Sequence, residues 1–496
     1  MPDLPHALYT AEQTRSLDRI ASEQYDLPAS VLMTRAGTAA LKLLQNKWPD
    51  AKHIVVICGV GNNGGDGFEL ARQALSEAIQ PTVFQFGDAQ VMSAEALAAR
   101  EQCLAAGVKI QPFENDIPVS DLIVDALMGT GLNRPVEGVL AQAIEAINSA
   151  SKQTPVLSLD IPSGLHADTG QALGFAVNAT VTLSYIGLNV GLFTGEAADH
   201  CGQINFDSLG VPAAVYGEVP ATANRLSLHQ YQPQLAPRKR TAHKGLFGHL
   251  LIVGGDHGMS GAVRMAAEAG ARTGAGLTSV ATRTAHAPFV TMMRPEIMSH
   301  GVEAAESLKP LLNAASAVTL GPGLGQGQWS QELFNQTIAS GLPIVVDADA
   351  LNLLSHVPDY RDNWILTPHP GEAARLLGCS TKDIQADRLA AVQALQKRYG
   401  GVVVLKGAGT LVFDGKAPIH LSDFGNPGMA SGGMGDVLAG IIGGLLAQHF
   451  SLLDAACLGA ILHGMAADKA TELDGERGLL ATDLLPHLRH FANLKH

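Results

Sequence analysis

The sequence predicts two successive α/β domains, each a mainly parallel sheet packed between helices. Three observations predict it. The chain has 496 residues, too many for one ordinary core. Short apolar runs alternate with longer helix-like stretches along nearly its whole length. That alternation breaks once, between residues 216 and 245. The composition is globular, with 46% hydrophobic and 16% charged residues, which excludes a disordered chain. A formal charge of −13 argues against nucleic acid or an anionic membrane as the main partner, and leaves small anionic ligands open.

The elements follow in order. Thr10 and Gln13 have the spacing of a capping box opening a first helix, and Pro28 suits the start of a second. His53–Cys58 reads as a strand, 68–78 as a helix, 81–86 as a strand and 94–106 as a helix. Further strands are expected at 122–127, 156–160 and 179–185. The stretch around Pro220, Pro233, Pro237 and Arg238-Lys239-Arg240 follows no period. We read 221–244 as a linker between domains 1–220 and 245–496. The basic run suits a phosphate contact and equally a solvated linker end. Beyond it, His249–Val253, Ala317–Leu320, 343–347, 364–367 and 402–406 read as strands. Helices are expected at 262–272, 372–377, 435–446 and 453–472. In such sheets ligands bind at the carboxyl ends of the strands.

Cys58, Cys103, Cys201, Cys379 and Cys457 are scattered and form no CxxC pair, which argues against a disulfide framework or a structural zinc site and fits a reducing compartment. The first ten residues lack a basic stretch followed by an apolar one, and the apolar run 441–446 is too short to span a bilayer. A cytoplasmic protein without membrane contact is expected.

The first constellation begins where strand His53–Cys58 runs into Gly59-Val60-Gly61-Asn62-Asn63-Gly64-Gly65-Asp66-Gly67. Gly59, Gly61 and Gly64 satisfy GxGxxG between a strand and a helix, where backbone N–H groups can hold a pyrophosphate. A tight structural turn uses the same glycines. Polar residues at two more strand ends favour a site. Asp125 leads into Gly129-Thr130-Gly131-Leu132-Asn133-Arg134-Pro135, and Asp160 leads into Ile161-Pro162-Ser163-Gly164. Such oxygen donors suit a hard cation, whereas either Asp alone could cap a turn.

NNGGDG, D-x-x-x-GTGLNRP and DIPSG together resemble the NAD(P)H-hydrate epimerase domain, over about the first 220 residues. The resemblance implies a Rossmann-like three-layer fold. It assigns Asn62, Asn63, Gly64, Gly65 and Asp66, and Gly129 through Pro135, to the hydrated nucleotide. It places potassium on Asn63, Asp125 and Ser163. Asp160 becomes the substrate-contacting acid and candidate proton carrier.

The second half lacks GxxxxGK, so it is no P-loop enzyme. Its strongest element is Asn426-Pro427-Gly428-Met429-Ala430-Ser431-Gly432-Gly433-Met434-Gly435-Asp436, opening a long helix. Successive N–H groups there form an anion nest. Asp436 reads either as a first-turn cap or as a general base beside a transferring phosphoryl group. This loop, with LGPGLG, DADALN, TPHPGE and KGAGT in that sequence around it, resembles the ribokinase-like, ADP/ATP-dependent NAD(P)H-hydrate dehydratases. The resemblance gives Ala262, Gly323, His369 and Asp436 to the substrate. It gives Lys406, Gly407, Ala408, Gly409, Thr410 and Gly435 to the nucleotide, with magnesium. His369 reads otherwise as a strand-end histidine held by flanking prolines.

The resemblance implies repair of hydrated NADH and NADPH, by epimerisation in the first half and ADP- or ATP-driven dehydration in the second. Its partners are therefore these small molecules, and a homo-oligomer is expected. The rivals are a small-molecule kinase with an accessory domain, and a dinucleotide sensor.

Overall fold

The computed structural model describes residues 4–113, 116–292 and 294–493. Of the opening ten residues, the first three thus lie outside the described residues. The chain divides into two compact units, Met1–Asn224 and Arg225–His496.

The first unit is built on a 7-stranded sheet. From one edge to the other its strands are Lys109–Pro112, Gln80–Gln85, His53–Cys58, Leu122–Ala126, Val156–Leu159, Val181–Tyr185 and Gln203–Asp207, and every pair is parallel. His53–Cys58 shows why there are three layers. Ile54, Val56 and Cys58 face one side, where Leu17, Leu44 and Phe68 of three helices cover them. Val55 and Ile57 face the other, against Ile144 and Ile147 of Gly138–Ala150. Period-two alternation buried on both faces gives a wholly apolar strand. The chain builds outward from His53–Cys58 in one direction, then returns to lay Leu122–Ala126 on its other side. A crevice opens at the carboxyl ends of those two strands, where the winding reverses.

The second unit repeats the scheme. Its strands run Ile419–Ser422, Thr410–Phe413, Val402–Leu405, Trp364–Leu366, Ile344–Val346, Ala317–Leu320, His249–Val253, Leu277–Thr282 and Met298–Gly301. The first two form an antiparallel hairpin, Thr410–Phe413 is antiparallel to Val402–Leu405 as well, and the remaining pairs are parallel. The winding reverses between His249–Val253 and Ala317–Leu320. Beyond its first turn, helix Met434–Ala447 is apolar all round and buried, as such a helix must be. Gly440 lets it touch Ser260–Thr273, since a Cβ there would lie 2.1 Å from the Ala266 carbonyl oxygen.

Three expectations change. Strands Leu277–Thr282, Thr410–Phe413, Lys109–Pro112 and Gln203–Asp207 and edge strand Met298–Gly301 were not foreseen, and Thr410 opens a strand rather than closing a loop. The stretch read as linker is not free chain. Leu226 donates its N–H to the Leu421 carbonyl, Arg225 pairs with Asp423 at 2.7 Å, and Tyr231 is buried in the second core. The basic run is anchored too: Arg238 donates to the Gly274 carbonyl at 2.6 Å and lies 3.5 Å over the Phe247 ring. Finally, the helix read at 68–78 begins at Asn62, so NNGGD is its first turns and not a loop. Among the described residues no helix is long and apolar enough to cross a membrane. All five cysteines are unpaired.

Candidate active sites

The crevice of the first unit holds a cavity of about 710 Å³. Asn62, Asn63, Asp66, the whole Gly129–Pro135 loop and Asp160 line it, as the sequence suggested. The glycines of the turn divide by what lies beside them. A Cβ on Gly59 would sit 2.0 Å from the Leu127 carbonyl oxygen, and one on Gly64 2.0 Å from the Gly59 carbonyl oxygen. Gly65 abuts Met33. Gly64 thus seats the helix on the strand end, Gly59 lets that end meet the chain leaving Leu122–Ala126, and Gly65 lets the helix meet Ala29–Lys47 and Ala94–Ala105; Gly64 and Gly65 do not line the cavity. Gly61 and Gly131 have open space instead, so a ligand can approach their backbone.

Asp160 stands at the end of Val156–Leu159 with φ +65°, a left-handed conformation uncommon for residues other than glycine and better tolerated by Asp than by most. The Thr130 N–H donates to its Oδ2 at 3.1 Å, tying the acid to the GTG loop. Burial nevertheless pushes its carboxyl up to about 6. Asp125 is fully buried; it accepts from the Ser163 hydroxyl at 2.5 Å, the Ser163 N–H at 2.9 Å and the Ser158 hydroxyl at 2.8 Å. Burial outweighs those bonds and keeps its pKa above the ordinary value. Asn63 is buried with both amide atoms unpartnered, and its Cβ lies 3.2 Å from where a Gly129 Cβ would be. The unsatisfied buried Asn63 amide, together with the Ser163 hydroxyl and Asp125 carboxylate, is a donor set of the kind that suits a hard monovalent cation.

Sequence reasoning missed Asp18 and Tyr185, which line the same cavity. An Asp on an amphipathic helix reads as a solvated face, and only the fold turns it inward.

In the second unit the strand ends gather a charge cluster. Lys406 follows Val402–Leu405 and holds Asp347 at 3.0 Å and Glu372 at 3.6 Å. Thr367 donates its hydroxyl to Asp347 at 2.7 Å. Burial opposes the Lys406 charge, but Asp347 and Glu372 overcome it and hold its pKa above the usual lysine value. Gly433, with φ +90°, turns the chain into helix Met434–Ala447. A Gly435 Cβ would lie 3.3 Å from Lys406 Nζ, so this helix start presses on the cluster. Asp436 follows at once. Burial, reinforced by Asp347, pushes its carboxyl up to about 7, with Lys406 pulling the other way. A first-turn cap in water would not be displaced so far.

Gly323 and Ala262 meet beside Met259, their separation set by the absence of a side chain at Gly323. His369 caps helix Pro370–Leu377: its Nδ1 accepts the Gly371 N–H at 2.9 Å and Glu372 returns a bond to its backbone. The ring is mostly exposed. Loop 406–410 rests on Arg388, a residue the sequence gave no reason to choose. Arg388 is fully buried and its guanidinium reaches the carbonyls of Leu405, Lys406 and Gly409. His463, also missed, lies buried behind the glycine-rich loop, bonded to the Met434 backbone and pushed down to about 4 by burial.

Two α/β units, each with a pKa-raised carboxyl at its strand ends beside a glycine-lined helix start, define a two-site enzyme. A family model described as NAD(P)H-hydrate dehydratase matches residues 250–489, and one described as YjeF-related protein N-terminus matches 29–191. The bifunctional NAD(P)H-hydrate repair enzyme of Coxiella burnetii is 49% identical over 98% of this chain and 99% of its own. That of Escherichia coli is 46% identical over 99% and 95%. A ribokinase-like protein from Enterococcus faecalis superposes with a TM-score of 0.51 at 30% identity, covering 55% of this chain and 95% of its own. The chain belongs to the bifunctional NAD(P)H-hydrate repair enzyme family.

Proposed function

We propose that the first unit interconverts the R and S hydrates of NADH and NADPH through Asp160, and that the second dehydrates the S form through Asp436 at the expense of ADP or ATP. The observation that carries this reading is the pair of displaced acids. Asp160 and Asp436 titrate near neutrality in separate strand-end sites, as general acids and bases must to work at ordinary pH.

For dehydration, hydroxide is a poor leaving group and phosphate a better one. Asp436 takes the proton of the C6 hydroxyl while that oxygen attacks the terminal phosphoryl group, and the bond to the remaining nucleotide breaks. The N1 lone pair then expels phosphate from C6, and loss of a C5 proton restores the reduced ring. Lys406 and the N–H groups of the glycine-rich turn stabilise the transferring charge. Loop 406–410 receives the nucleotide, with Arg388 setting its position. Ala262, Gly323 and His369 border the hydrate. Magnesium accompanies the nucleotide and would offset its phosphate charge; the carboxylates around Lys406 suit a second positive charge.

For epimerisation, the Asn62 helix start and the Gly129–Pro135 loop hold the phosphates, leaving C6 at Asp160. Asn63, Asp125 and Ser163 would hold potassium, whose charge would offset the carboxylates around it. The unpaired cysteines support a cytoplasmic site of action.

The test supplies both hydrate epimers with ADP or ATP and follows the reduced-nicotinamide absorbance. Full conversion with release of free phosphate is expected. A stable phosphorylated product would indicate a kinase instead, and return of only one epimer's share would remove the epimerase assignment.

A further inference from the structure

Three carboxyls, Asp18, Asp66 and Asp160, line the cavity of the first unit, and the reading above uses only Asp160. Asp18 comes from helix Ala11–Gln24, outside the segment that the family model matches. Leu17 and Ile20, on either side of it, anchor that helix in the core. Asp18 lines the cavity together with Asp160, and its Oδ1 is buried without a hydrogen-bond partner. An unpartnered buried carboxyl oxygen is costly and marks a place where a ligand or a proton belongs.

We propose that Asp18 is the second proton carrier of epimerisation, paired with Asp160 across the bound ring. The proposal rests on the reading of Asp160 given above. Inversion at C6 needs protons at two faces. The C6–O bond breaks as the N1 lone pair forms N1=C6, and one carboxylic acid gives its proton to the departing hydroxyl, making water. Water then adds to the opposite face, the N1=C6 electron pair returns to nitrogen, and the water's surplus proton passes to the other carboxylate. Atoms, electrons and protons balance, and the two carboxyls have exchanged states. A single carboxyl would have to serve both faces, whereas two carboxyls on separate elements need not move.

The electrostatics supply one acid and one base. Burial first, and then the charge of Asp160, push Asp18 up to about 7, while burial pushes Asp160 up to about 6. Neighbouring carboxyls of this kind share protons rather than ionise together. Asp66, from helix Asn62–Ser76, is pushed well above the carboxylate range by burial first and then by Asp160, Asp18 and Glu69. Tyr216, from Ala213–Glu218, also feels Asp18, and Tyr185, closing Val181–Tyr185, feels Asp66 and Asp160. Arg15 and Arg134 are the cations lining the cavity.

The test uses the full chain carrying Asp18→Asn, Asp18→Glu or Asp160→Asn. Epimerisation of one purified hydrate is followed across pH with the enzyme-free rate subtracted. Dehydration of the S hydrate and circular dichroism of the same samples report folding. Asp18→Asn is expected to lower epimerisation kcat by about 10²-fold with KM little changed, and to remove one limb of the bell-shaped profile. Asp18→Glu restores part of the rate and the missing limb. A merely structural role would scale kcat equally at every pH, and that result overturns the proposal, as does near wild-type kcat in Asp18→Asn. If Asp160→Asn alone retains its rate and both limbs, the Asp160 reading fails while the loss in Asp18→Asn still supports Asp18.

Discussion

Lys406 gives the sharpest handle on the second site, because its charge counteracts the upward push on the Asp436 carboxyl. Asp436 titrates at about 7, raised by burial and by Asp347 and lowered by Lys406. Its ionised form is the base, so dehydration should rise with pH through that midpoint. Replacing Lys406→Met removes the attraction that favours the ionised form and frees Asp347 and Glu372 to repel it. An opposite charge at such range is worth roughly 1–3 pH units on a carboxyl. The midpoint should therefore move up by about that much. At neutral pH the ionised share would fall from near one half to between roughly a tenth and a thousandth, lowering kcat about 5- to 500-fold. The assay is nucleotide-dependent appearance of reduced nicotinamide from the S hydrate, at saturating nucleotide and magnesium. Lys406→Arg keeps the charge and should keep the midpoint. A Lys406→Met profile whose midpoint stays in place, or moves down, would refute Asp436 as the titrating base.

Three further outcomes follow from the geometry. Asp160→Ala should abolish epimerisation and leave dehydration intact, and Asp436→Ala the reverse; loss of both activities in either variant contradicts separate sites. Gly59→Ala forces a Cβ to within 2.0 Å of the Leu127 carbonyl oxygen and should destabilise by about 1–3 kcal/mol in thermal unfolding, whereas Gly61→Ala, with open space around it, should spare stability and raise the epimerase KM. Arg388→Met should cost about 1–3 kcal/mol through the carbonyls of Leu405, Lys406 and Gly409 that it leaves without their donor. In steady-state kinetics it should raise KM for the nucleotide more than KM for the hydrate.

The sequence by itself determined the two α/β units and the glycine-rich and acidic strand ends of each. His53–Cys58, His249–Val253 and Ala317–Leu320 were legible to the residue, because a strand buried on both faces is a short apolar run cut off by its turn. The motifs around Asp160 and Asp436 were legible because glycines and polar residues cluster there within a few positions of a strand end or helix start. The edge strands Lys109–Pro112 and Met298–Gly301 were not, since a partly solvated strand lacks that continuous apolar signal. Nor could the chain alone separate glycines that fasten a helix, such as Gly64, from those that leave room for a ligand, such as Gly61; the distinction is a distance to a carbonyl on another element. Only the tertiary structure brought Asp18 to Asp160, Lys406 to Asp347 and Glu372, and Arg388 beneath the 406–410 loop. Local patterns record which residues face inward. Which inward charges meet, and so which of them hold a proton at neutral pH, is decided by how the strands are ordered in the sheet.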